Sequence, residues 1–233
     1  MEKLHIKNKW VEIVMVVLLL VSMLILSKST ALIVSNMNGV EEVKTVVIDP
    51  GHGGDDPGKI GVNGALEKEI NLIIAKRVQS LLEANDISVI MTRETDEGLY
   101  EEEDSNQKVV DLKNRITIMN ESNPDLIVSI HQNSYEDEAI WGAQTFYYET
   151  SQEGKKIAEL FQSNLIELVD PDNYRVAKGN DTYYLLKETT YPIVIVECGF
   201  LSNWEEADKL ITEEYQEQVA WAIHLSILEY LNE

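Results

Sequence analysis

The stretch Lys44 to Gly54, KTVVIDPGHGG, decides how the chain is read. Its first half is a short β-branched run that ends at Pro50 and Gly51, so it reads as a buried strand stopping at a tight loop. The loop continues through Gly53, Gly54 and Gly58. Beyond it, apolar residues at Leu66, Ile70, Ile73, Val78, Leu81 and Leu82 fall on one face of a helix that starts near Leu66. Strand-like and helix-like segments then alternate. Ile87 to Thr92 reads as a strand, Glu94 to Asp104 as an exposed acidic loop, and Val109 to Asn120 as a helix. Strands are further expected at Leu126 to Ile130, Gln144 to Tyr148, Tyr183 to Leu186 and Ile193 to Val196. Helices are expected from about Glu153 to Leu168 and from about Glu205 to Leu231. This alternation predicts an α/β fold: one domain with a twisted, mostly parallel or mixed sheet and helices on both faces.

Ahead of this domain, Lys3, Lys7 and Lys9 precede an apolar run from Ile13 to Leu26 that only Ser22 interrupts. A basic region followed by an apolar region is the pattern of a signal peptide or a membrane anchor. The run falls short of the roughly 20 residues of a full span, and the small residues Ser29 to Ala31 offer a cleavage point. Residues 1–35 are therefore expected to be a leader or membrane anchor with a short linker, and residues 36–233 the folded domain. Either way the domain is expected to act outside the cytoplasm. The formal charge of −22 repels a phosphate backbone, which excludes nucleic acid as a partner. Cys198 is the sole cysteine, so no disulfide forms within the chain.

Of the four histidines, His5 precedes the apolar run and His224 sits in the terminal helix, leaving His52 and His131. Each follows an apolar run, so in a parallel sheet both emerge at the same carboxyl edge, where this architecture places its chemistry. Two imidazoles and a carboxylate suit a catalytic zinc, and Glu67, at a helix start just beyond the glycine loop, is the candidate third ligand. Glutamate in a first helical turn is also common simply for the helix dipole. Glu197 ends the apolar run Ile193 to Val196, where an unpaired carboxylate is costly, and it fits a proton-transferring role. Cys198 reads as a small buried filler.

Four stretches, IDPGHGG at 48–54, EKEINL at 67–72, SIHQN at 129–133 and VECGFLSN at 196–203, together resemble the zinc N-acetylmuramoyl-L-alanine amidase family, in that family's order. The resemblance implies zinc ligation by His52, Glu67 and His131 and catalysis by Glu197. Asn133, Arg93 and Arg115 also match family positions, the arginines as structural or substrate-positioning groups, and the three stand as candidate substrate-binding residues. Gln132, where a small residue is usual, and Lys187, where arginine is frequent, depart from the pattern. The apolar N-terminus and Trp141 to Gln144 are most similar to germination-specific amidases of spore formers, which strip peptides from muramic acid before the muramic lactam of the spore cortex is made. Peptidoglycan is then the implied partner, and an accessory lipoprotein a further one.

The implied reaction is hydrolysis of the lactyl amide, with Glu197 as general base and then general acid. Three rivals share parts of the pattern. A glycosidase using Glu67 and Glu197 leaves both histidines without a role. A zinc peptidase acting on the stem peptide needs the same metal chemistry, and a silent wall-binding module would be expected to have lost ligands.

Overall fold

The computed structural model describes residues 15–18, 20–23 and 43–232. Residues 15–18 and 20–23 are helical and exposed. The rest of the expected leader or anchor, with His5 and the expected boundary at Asn36, lies outside the described residues. Among the described residues no helix is long and apolar enough to cross a membrane.

From Lys44 onward the chain is one compact unit. Its strands are β1 (Thr45–Pro50), β2 (Ser88–Met91), β3 (Leu126–Asn133), β4 (Gln144–Tyr148), β5 (Lys178–Asn180) and β6 (Ile193–Phe200). Its helices are α1 (Glu67–Glu83), α2 (Gln107–Glu121), α3 (Gln152–Leu168), α4 (Tyr184–Glu188), α5 (Trp204–Leu210) and α6 (Glu213–Leu231). The strands form one sheet in the order β2-β1-β3-β6-β4-β5. All neighbours run parallel except β4, which is antiparallel to β6. The mixed α/β sheet read from the sequence is therefore the observed one.

Apolar runs without alternation arise because both faces of the central strands are covered. Val46, Ile48, Val128, Ile130, Val194 and Val196 face one core, shared with α1, α3 and α6. Val47, Ile127, Ile193 and Ile195 face the other, shared with Met119 of α2 and with Leu185 and Leu186 of α4. Each such fully buried Val or Ile contributes roughly 1.5–3 kcal/mol.

The structure corrects several sequence expectations. Tyr183 to Leu186 is not a strand: Asn180 turns the chain by accepting from the Thr182 and Tyr183 amides at 2.8 and 2.7 Å, and α4 follows. Leu185 and Leu186 are both buried in the same core, which successive strand positions would not allow. The terminal helix is two helices, because the Thr212 hydroxyl donates to Lys209 O at 2.6 Å and accepts from Tyr215 N at 3.3 Å. Strands β3 and β6 run on past their apolar runs to Asn133 and Phe200, because the ladder between them continues through His131↔Glu197. Strand β5, lacking an apolar pattern, is held by pairing with β4.

One ion pair ties β1, β3 and α2 together beneath the carboxyl edge. Asp49 and Arg115 are 0% and 1% exposed, with Arg115 Nη1 2.7 Å from Asp49 Oδ1. Thr92 and Ser129 hydroxyls, each at 2.6 Å, complete the carboxylate's partners. Burial works to raise the Asp49 pKa, but Arg115 and the two hydroxyls outweigh it, and the group sits below its ordinary value. Burial works against charge on Arg115 as well, yet Asp49 and Asp111 raise its pKa.

A depressed folded pKa means that the unfolded chain binds the proton first, so this stability is present above the ordinary Asp value and is lost as pH falls through the folded one. Asp49→Asn is expected to destabilise the domain by on the order of 3 kcal/mol at pH 7. Urea titrations should show the gap to wild type narrowing below about pH 4. A gap independent of pH would refute this role for the carboxylate.

Candidate active site

The chain reaches the site through a loop fixed by two buried arginines. Arg115 donates to Pro50 O at 2.9 Å and to His52 O at 2.6 Å. Arg93 donates to Pro50 O at 2.9 Å, Gly51 O at 3.1 Å and Lys68 O at 2.8 Å. With these carbonyls held, His52 takes a left-handed backbone, φ 63°, a conformation uncommon outside glycine. Two glycines permit the close approach. A Cβ on Gly51 would fall 2.1 Å from the His131 ring, and one on Gly58 (φ +67°) would fall 2.5 Å from Glu67 Oε2.

Glu67 is the first residue of α1 and is 3% exposed. Its Oε1 lies 3.2 Å from His52 Nε2 and 3.0 Å from His131 Nδ1, and accepts from Gln132 N at 3.0 Å. Its Oε2 accepts from Lys59 N at 2.7 Å. Burial works to raise the Glu67 pKa, but the two imidazoles overcome it and hold the carboxylate ionised, well below its usual range. Burial likewise opposes charge on His52, and Glu67 and Asp56 outweigh it to raise the pKa. The donor atoms of His52, Glu67 and His131 all lie within 4.8 Å of one another, a group able to hold a metal ion. Two imidazole nitrogens and one carboxylate oxygen are the donor set that zinc takes in open sites. The other His52 nitrogen, Nδ1, is 2.9 Å from Asp56 Oδ2, and such a carboxylate fixes ring orientation and the metal-facing nitrogen.

Glu197 stands in β6 directly across from His131 in β3. It is 7% exposed, and burial, with Glu67 adding to it, raises its pKa to about 7 against the opposing effect of the histidines and Tyr183. Its Oε2 is buried without a hydrogen-bond partner. Such an orphaned acceptor costs about 1–3 kcal/mol, which is characteristic of functional rather than structural carboxylates. A cleft of about 410 Å³ opens over these groups, lined also by Leu112, Asn133, Tyr183, Tyr184 and Ile195.

The structure thus brings His52, Glu67, His131, Glu197 and Asn133 to one cleft. Arg93 and Arg115 stand behind it, with their donors directed to backbone carbonyls and to Asp49 and Asp111. Because every oxygen of Glu67 is already engaged by the two histidines and two amides, it is poorly placed to pair with Glu197 as a glycosidase acid. Cys198 is buried, and burial pushes its thiol pKa up, as suits a filler. Sequence reasoning did not single out Asp56 or Tyr183. Asp56 carries no pattern of its own, and Tyr183 lay inside a segment read as a strand.

Residues 46–229 match the family profile described as N-acetylmuramoyl-L-alanine amidase, and the chain belongs to this family. Among its curated relatives it is 39% identical over 193 residues to the germination-specific N-acetylmuramoyl-L-alanine amidase of Bacillus subtilis (strain 168), covering 82% of this chain and 81% of that protein. Among solved structures it is similar to the CwlD amidase from Clostridioides difficile, in complex with the GerS lipoprotein, at 43% identity and a TM-score of 0.79, over 81% of this chain and 98% of that one. The amidase AmiC2 of Nostoc punctiforme shares 32% identity with a TM-score of 0.72, over 82% and 98% of the two chains.

Gly51→Ala should displace the His131 ring and destabilise the domain by about 1–3 kcal/mol, measured by urea denaturation. Wild-type stability with an unmoved ring would show that the loop yields instead.

Proposed function

We propose that this chain is a zinc-dependent N-acetylmuramoyl-L-alanine amidase, cleaving the amide between N-acetylmuramic acid and L-alanine in peptidoglycan. The observation that carries the reading is the conjunction of a two-histidine, one-carboxylate cluster with a second, orphaned carboxylate across the sheet. In this reading His52, Glu67 and His131 hold zinc, which supplies a Lewis acid at neutral pH. Asp56 orients His52, and the Gln132 and Lys59 amides orient Glu67. Glu197, with a pKa near 7, is suited to accept a proton from the attacking water and return it to the leaving amine of L-alanine. We assign substrate binding to Asn133, which lines the cleft, and positioning of the His52 loop to Arg93 and Arg115, which hold its carbonyls from behind.

The likeness to the germination-specific relative supports a role on the spore cortex. The likeness to the CwlD amidase, whose structure includes a lipoprotein, supports an accessory lipoprotein for this chain. The substrate lies outside the cytoplasmic membrane, and we assign residues 1–35 the task of exporting the domain or tethering it there, with the catalytic domain following from residue 36.

The test is direct. The full chain should bind one zinc and release stem peptides with free L-alanine amino termini from purified peptidoglycan, and a chelator should abolish release. Glu197→Gln should keep zinc and lose at least about a hundredfold in kcat. Cleavage within the stem peptide would instead favour a peptidase, and absence of both zinc and products would overturn the amidase reading.

A further inference from the structure

The buried residues of α1 are apolar except Glu67 and Asn71, which stand one turn apart on the same face. Asn71 is 0% exposed, and an amide so enclosed is costly unless its donors and its acceptor are met. Three hydrogen bonds meet them. Asn71 Nδ2 donates to Gly51 O at 3.1 Å and to Glu67 Oε1 at 3.5 Å, and Asn71 Oδ1 accepts from Gln132 Nε2 at 3.0 Å. Gly51 immediately precedes His52, and Gln132 immediately follows His131. One amide therefore contacts one candidate metal ligand directly and the chain neighbour of each of the other two.

The orientation of that amide is set by Gln132. Its side chain offers a donor, so the Asn71 oxygen turns towards it and the nitrogen, with two protons, is left for Gly51 O and Glu67. Gln132 is 4% exposed, and its backbone amide donates to the same Glu67 Oε1 at 3.0 Å. The small residue usual at this position in the resembling family would supply no such side-chain donor. We propose that Asn71 is a positioning residue that keys His52, Glu67 and His131 to one another, with the Gln132 side chain fixing its amide. This rests on those three being the zinc ligands, as proposed above. A cluster held in place beforehand loses little freedom when a cation enters it. Arg93 shares the Gly51 carbonyl, donating to it at 3.1 Å, so loss of the Asn71 amide loosens the cluster without releasing the loop.

In the full chain, Asn71→Ala is expected to weaken zinc binding by about tenfold to a hundredfold, read by competition with a chromophoric chelator. A lowered thermal midpoint with unchanged zinc affinity would overturn the proposal and leave an asparagine that serves the core alone. Gln132→Ala, which keeps Asn71 and the backbone amide at 132, should weaken binding by about threefold to tenfold. That loss should vanish in an Asn71→Ala background, because the Gln132 side chain acts through Asn71, and an equal loss in both backgrounds would overturn this coupling. If Asn71→Ala does not fold, Gln132→Ala decides alone, and wild-type affinity in that variant overturns the proposal. Metal-free crystal structures give a second readout. The donor atoms of His52, Glu67 and His131 lie within 4.8 Å of one another in the wild-type chain and should spread further in Asn71→Ala, whereas an unchanged cluster would count against the keying role. A wild type that binds no zinc defeats the metal reading first, while equal zinc affinity in wild type and Asn71→Ala defeats this inference alone.

Discussion

A guanidinium sealed within the sheet needs a counter-charge, and the pairing of Arg115 with Asp49 is the constraint around which the carboxyl edge is organised. Separately, each group would carry a desolvation cost of several kcal/mol. Together, with Thr92 and Ser129 completing the carboxylate's partners, they join β1, β3 and α2 at one point. The same guanidinium extends to the carbonyls of Pro50 and His52. A buried pair therefore sets the course of the loop that carries a candidate metal ligand, although neither partner touches the cleft.

The second determinant is register. Parallel pairing of β3 with β6 puts His131 opposite Glu197, and a register shift between His131 and Asn133 follows at once. A slip of one residue would turn either side chain to the opposite face, where α1, α3 and α6 pack. Helix α1 lies on that opposite face with Ile70 and Ile74, yet its first residue reaches the cleft because the helix begins at the sheet edge. A residue type common in first helical turns for the helix dipole alone thereby has its carboxylate between two imidazoles.

Much of this was legible in one dimension because the relevant signals are local. The β-branched runs, the helical spacing after Leu66 and the polar residues closing Leu126 to Ile130 each report on their own segment. Legibility failed where long-range contacts override local pattern. The chain from Tyr183 to Leu186 is as apolar and aromatic as a strand, but the Asn180 side chain turns it into α4. Polar residues from His131 to Asn133 resemble a loop, but the β6 ladder keeps them in the sheet. Thr212 interrupts a helical pattern through its hydroxyl, an effect that periodicity does not register.

The sequence by itself determined that the chain forms an α/β domain, that His52 and His131 follow buried strands, and that acidic groups stand at Glu67 and Glu197. Those are consequences of hydrophobic patterning and residue chemistry, which act over a few positions. Only the tertiary structure decided that Glu67 faces both imidazoles, that the arginines stand behind the loop rather than in the cleft, and that Tyr183 lines the same cleft as Glu197. Each depends on strand order, register and the burial of paired charges, which are properties of segments brought together from across the chain.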